Sequence, residues 1–157
     1  KTAVLLAASL KIGARLGGAS VEDADRLYDF GMHIGVAFQL KDDLLDVYGN
    51  AKVFGKNIGG DILCNKKTYM LIKALEHANA DQHNQLNSWI NAETFQPAEK
   101  IAAVTELYDR IGVKAVCENK ILEYSNRAME SLAAVSIAEE KKEELKKIIE
   151  NLIHREV

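Results

Sequence analysis

The sequence predicts an all-α protein, an antiparallel helical bundle, and three observations carry that expectation. Apolar residues recur at three- and four-residue spacing along most of the chain, the period of helices that bury one face. Pro97 is the only proline, so little interrupts those runs from within. Alternating β-branched stretches bounded by turn residues, the mark of strands, do not occur. A length of 157 residues suits one domain or a large part of one. With 48% hydrophobic and 27% charged residues the chain is not of the disordered class. No stretch nears the roughly 18 consecutive apolar residues of a membrane span. The net charge of -3, from 20 Lys+Arg and 23 Asp+Glu, supplies no global field for nucleic acid or an anionic membrane. Charge must act locally.

The first helical pattern runs through Ala3, Leu5, Leu6, Leu10, Ile12 and Leu16 to Gly17-Gly18. It is already in progress at Lys1, with no initiator Met or cap, so residues 1–157 are expected to be the C-terminal portion of a single longer domain. Ser20 is the expected N-cap of a long helix with Glu22 and Asp23 in its first turn, ending near Tyr48 before Gly49-Asn50. Gly31 and Gly35, one turn apart within it, let another helix approach closely. Residues 49–65 read as the one substantial irregular stretch, with Gly49, Gly55, Gly59 and Gly60. Further patterns follow from about Lys66 to Ala78, from Leu86 to Ala92, after Pro97 through Ile101, Val104, Leu107 and Ile111, from Val113 to about Ala134, and from Ala138 to Ile153. The Glu/Lys run from Glu139 to Lys147 reads as a solvated helix face. Cys64 and Cys117 lack CxxC or Cys/His spacing and no cleavable leader is seen, which points to a reduced, cytoplasmic setting.

The chemistry concentrates in Phe38-Gln39-Leu40-Lys41-Asp42-Asp43-Leu44-Leu45-Asp46. On a helix Asp42 and Asp46 share a face, Gln39 precedes them on that side, and Asp43 falls at its edge. Apolar residues occupy nearly every other direction, so the carboxylates are expected beside a buried surface, where like charges need a compensating cation. Oxygen ligands at i and i+4 suit Mg²⁺, which keeps waters and shares itself with phosphate. An EF-hand does not fit, because its acids alternate whereas Leu44 and Leu45 fall between these. Beyond lies a glycine-rich stretch in which Lys52, Lys56, Lys66 and Lys67 face the single acid Asp61, a pattern suited to anion capture. No GxxxxGK[ST] phosphate loop is present. His33, His77, His83 and His154 show no HxxxH or HExxH spacing and read as packing or surface residues. Acids for a metal, lysines for phosphates and a dry bundle describe an enzyme that ionises a diphosphate ester.

Four segments in order, Lys1-Thr2, Phe38-Gln39, Asp42-Asp43-Leu44-Leu45-Asp46, and Gly55-Lys56-Asn57-Ile58-Gly59-Gly60-Asp61-Ile62 followed by Asn65-Lys66, resemble the C-terminal half of trans-isoprenyl diphosphate synthases, the farnesyl and geranylgeranyl diphosphate synthase-like prenyltransferases. The resemblance implies the C-terminal part of the isoprenoid synthase fold and the Mg²⁺-dependent condensation of an allylic diphosphate with isopentenyl diphosphate. It further implies that Asp42 is a direct Mg²⁺ ligand, with Asp43 and Asp46 at or just outside that shell. Lys1, Lys56 and Lys66 would bind the allylic diphosphate. Thr2 and Gln39, with the carbonyl of Lys1, would face the developing allylic cation. A homodimer is implied as well. The family's first aspartate-rich motif and its isopentenyl diphosphate residues do not occur in these 157 residues, so the isolated chain is expected to be inactive. Two alternatives share the helical pattern: a terpene cyclase-like enzyme, and a non-catalytic helical partner subunit.

Overall fold

The computed structural model describes residues 2–49 and 58–154. In chain order the helices are α1 (Thr2–Leu16), α2 (Val21–Tyr48), α3 (Gly60–Leu63), α4 (Tyr69–His77), α5 (Ala80–Asn91), α6 (Pro97–Ile111), α7 (Val113–Ala133), a 3₁₀ turn (Glu139–Lys141) and α8 (Glu143–His154). The described residues contain no strand, in accord with the all-α expectation. None of the described helices is long and apolar enough to cross a membrane.

Local chemistry sets the boundaries. The Ser20 hydroxyl accepts from Asp23 N at 3.0 Å and so caps α2. Thr68 caps α4 by accepting from Leu71 N, so this helix begins at Tyr69 and not at Lys66 as its pattern suggests. Asn79 and Gln82 form a reciprocal capping box that starts α5 well before Leu86. Pro97 stands in the first turn of α6, and Gly112, with φ 83°, ends it in a left-handed cap. Within the stretch expected to be irregular, the described residues include the short helix α3.

The chain divides into two compact units. The first contains residues 2–41 and, after the second unit, 119–154; the second is Asp42–Glu118. In the first, Ala3 lies against Gly35 and Ala7 against Gly31, so α1 runs antiparallel to the first part of α2. On another side of that helix, Asp23 Oδ1 accepts from Ser136 N at 2.9 Å and His33 stacks with Tyr124 at 6.1 Å between centroids. The core here includes Ala24, Phe30, Ile34, Ala37, Ala128, Leu132 and Ile149. The run 139–147 is mostly exposed and laced with ion pairs, with one exception. Lys142 is buried, its Nζ donating to Ala133 O at 3.0 Å and Glu139 Oε1 at 2.8 Å; it satisfies a carbonyl at the end of α7. In the second unit α6 is central and packs on α3, α4 and α5 around Leu44, Leu45, Ile62, Met70, Ala74, Leu86, Val104 and Leu107.

Candidate functional site

The acidic end of α2 belongs to the second unit. Leu44 and Leu45 are fully buried and Val47 nearly so, which anchors the turn that carries Asp42, Asp43 and Asp46. Of the three carboxylates Asp43 is the most buried, at 7% exposure, while Asp42 and Asp46 are half-buried. Asp43, one turn before Asp46, faces the segment that follows the glycine-rich stretch.

That segment is fastened to Asp46 twice. Gly59 N donates to the Asp46 carbonyl at 2.6 Å, and Asp61 N donates to Asp46 Oδ2 at 2.8 Å. Glycine is needed at Gly59, whereas at Gly60 a side chain would meet only an ordinary contact. Gly59 has φ 85°, where a Cβ would also meet Ile101 Cδ1 at 2.6 Å, and a Cβ on Gly60 would touch Asp46 Oδ1 at 3.5 Å. Burial pushes the Asp46 carboxyl above its ordinary value, partly opposed by the Asp61 N–H, with Asp61 and Asp42 adding repulsion.

Lys66 completes the arrangement. Its Nζ donates to Asp61 Oδ2 at 2.7 Å and to Asp43 Oδ1 at 3.1 Å, and these bonds, that from Asp61 first, raise its pKa above the ordinary lysine value. The sequence pattern assigns this lysine to phosphate alone, but its ammonium already bridges two carboxylates. The turn bearing it is pinned at Asn65, whose φ of 49° is left-handed. Asn65 Nδ2 donates to Ile90 O at 2.9 Å and its Oδ1 accepts from Lys100 Nζ at 2.8 Å. Asp43, Asp61, Asn65, Lys66 and Lys100 line a common cavity of about 20 Å³. Below them Tyr48 Oη donates to Asp109 Oδ1 at 2.7 Å, tying the last turn of α2 to α6.

In the sequence Asp61 reads as an acid within a basic stretch and as part of the Gly-Gly-Asp string five residues before Lys66, with no role of its own. Lys100 stands in no such string. Thr2 and Gln39 lie in the first unit, both exposed, Thr2 on a groove that Leu5, Leu6, Ile34, Gly35, Phe38 and Leu152 also line. Lys1, Lys52 and Lys56 fall outside the described residues.

The donor set is one of carboxylate oxygens, which suits a hard divalent ion and not zinc. Among the described residues no three His, Cys, Asp or Glu side chains converge into a protein-only metal cage. Mg²⁺ does not require one, since it commonly takes one or two carboxylates and completes its shell with water and phosphate. Half-buried Asp42, beside a pair of carboxylates already bridged by Lys66, fits that mode.

The polyprenyl synthetase family model matches residues 1–108, and the chain belongs to that family. A short chain isoprenyl diphosphate synthase of Methanothermobacter thermautotrophicus is 34% identical over 156 residues, spanning 99% of this chain and 47% of the relative. The crystal structure of a geranylgeranyl pyrophosphate synthase superposes with a TM-score of 0.91 at 33% identity, over 100% of this chain and 49% of its own. A geranylgeranyl pyrophosphate synthase from Corynebacterium glutamicum, solved with isoprenyl diphosphate and magnesium, gives 0.80 at 31% identity over 91% and 40%. The all-α architecture is thus that of the isoprenoid synthase fold. The chain spans about half the length of the curated relatives it matches.

Proposed function

We propose that the chain is the C-terminal portion of a Mg²⁺-dependent trans-prenyltransferase, which joins an allylic diphosphate to isopentenyl diphosphate and releases pyrophosphate. The observation that carries this reading is the ammonium of Lys66 bridging Asp43 and Asp61 beside Asp42 and Asp46. It places acids for a cation and a cation for an anion on one small surface, inside a family whose relatives are named for diphosphate synthesis.

Asp42 is the residue proposed to hold Mg²⁺ directly, with Asp43 and Asp46 at or outside that shell. Bound there, the ion supplies Lewis-acid stabilisation to the oxygens of a departing diphosphate. Lys66, with Lys1 and Lys56, binds the same anion as point charges. Lys66 is already oriented by its two carboxylates, so less side-chain freedom is lost when phosphate arrives. Asp46 holds the backbone of the Gly-Gly-Asp segment and so fixes Asp61 beneath Lys66. Thr2, Gln39 and the Lys1 carbonyl are assigned to the positive charge that develops on the allylic carbon. A homodimer is the proposed assembly. A cytoplasmic setting is supported by the two free thiols, Cys64 and Cys117.

Isothermal titration of the chain with a bisphosphonate, a stable diphosphate mimic, tests the site. Binding is expected with Mg²⁺, and is expected to be lost with EDTA or in Asp42→Ala. Affinity indifferent to both overturns the reading. No first aspartate-rich motif is present in the sequence, so little turnover of the two substrates is expected from the purified chain alone. Steady formation of an elongated linear diphosphate by that chain would refute this.

A further inference from the structure

Lys100 lies in the first turns of α6 and is 1% exposed, yet it forms no ion pair with a described carboxylate. Among the described residues its ammonium has a neutral acceptor, Asn65 Oδ1 at 2.8 Å, an aromatic face, the ring of Phe95 at 4.2 Å from its centroid, and Cys64 near enough to act on its charge. Burial lowers its pKa from the ordinary lysine value. An ammonium so enclosed is costly to desolvate, whereas methionine would fill a similar volume without that cost. Packing alone therefore does not account for a lysine here.

What the ammonium does that methionine cannot is fix the amide of Asn65. The Lys100 donor requires Oδ1 on its side, and the Ile90 carbonyl requires Nδ2 on the other. The amide is held from α6 and from α5, and with it a residue in the left-handed conformation that begins the turn leading to Lys66. The next residue is Lys66, whose reach to Asp43 and Asp61 depends on the direction in which its backbone leaves that turn.

We propose that Lys100 is a positioning residue for Lys66: by clamping Asn65 it keeps the Lys66 ammonium seated between Asp43 and Asp61. The inference rests on the reading of Lys66 as a diphosphate ligand and adds to it the part that aims the lysine. Loss of that aim returns rotamer freedom to Lys66, which corresponds to about two- to tenfold weaker anion binding.

NMR of lysine ammonium groups, together with titration by inorganic pyrophosphate and Mg²⁺, tests it. The Lys66 signal is identified by its absence in Lys66→Ala. In Lys100→Met that signal is expected to broaden or shift toward that of a free lysine, while the signal of Lys73, paired with Glu76 in the same unit, stays in place and reports an intact fold. Pyrophosphate binding is expected to weaken about two- to tenfold. Should Lys100→Met fail to fold, Asn65→Ala cuts the same link from its other side and is expected to give the same two changes. A folded variant of either kind that keeps both the Lys66 signal and the wild-type affinity overturns the proposal. If Lys66→Ala itself leaves pyrophosphate binding unchanged, the diphosphate role of Lys66 falls, while the signal of Lys66 in Lys100→Met still decides whether Lys100 holds it.

Discussion

At the scale of single residues the site trades stability for charge, and Asp46 shows it most directly. Burial raises its pKa in the folded protein, so the folded state holds this proton more tightly than the unfolded chain. Its contribution to stability is full below the ordinary carboxylate pKa and is lost as pH rises through the raised value. Near neutral pH the ionised group is a net liability, retained for its work at the site. Asp46→Asn keeps an oxygen for the Asp61 N–H and removes the charge. The variant is expected to melt above the wild type at about pH 7, by roughly 2–4 °C for each kcal/mol relieved, with the gap closing as pH falls through the raised value of Asp46 and the wild-type carboxyl takes up its proton. Thermal melts across that range check the sign, and a lower melting temperature than wild type at neutral pH would contradict it. Bisphosphonate binding should decline in the same variant, the usual cost of relieving a strained site.

Helix contacts are decided by smaller margins. An alanine at Gly31 would put its Cβ 2.6 Å from Ala7 Cα and 2.9 Å from Ala7 N, and one at Gly35 would come 2.5 Å from Ala3 Cα. Helix propensity favours alanine over glycine by about 1 kcal/mol, but overlap with a neighbouring backbone costs about 1–3 kcal/mol or more, so the overlap wins. Gly31→Ala is expected to lower the melting temperature. Gly13, in the last turn of α1 with nothing within 4 Å of its Cβ position, is the counter-case, and Gly13→Ala is expected to raise it. Differential scanning calorimetry of the pair separates propensity from packing. The glycine spacing in α2 was legible in the sequence because helical period alone places Gly31 and Gly35 on one side. The starts of α4 and α5 were not, because Thr68 and Asn79 act through local cap hydrogen bonds that no apolar periodicity records. The same limit applies at the site. Asp42, Asp43, Asp46 and Lys66 stand out as a charge pattern, but the bridge from Lys66 to Asp43 crosses 23 positions and that from Lys100 to Asn65 crosses 35. Such pairings are products of packing, and nothing local to Lys100 announces one.

Over the molecule as a whole the unbalanced feature is α1. Its residues are apolar on almost every side, the composition of a helix meant to be enclosed, yet only Ala7 among them is fully buried. Leu5 is 71% exposed and Leu16 85%, and Val4 and Ile12 are more than half exposed. With Phe38 of the same unit they leave exposed more large apolar side chain than soluble monomers commonly do. Each large side chain covered by a partner is worth about 1.5–3 kcal/mol, so covering four or five of them is enough to offset much of the entropic cost of association. The chain studied alone is therefore expected to self-associate through this face. Sedimentation velocity over a tenfold range of concentration should show a rising sedimentation coefficient, and the double variant Leu5→Glu, Ile12→Glu should shift the distribution toward monomer. Both side chains are mostly exposed, so the variant should retain its helical circular dichroism while losing the association. A wild-type chain that remains monomeric throughout would show that the exposed face of α1 is not sticky enough to act on its own.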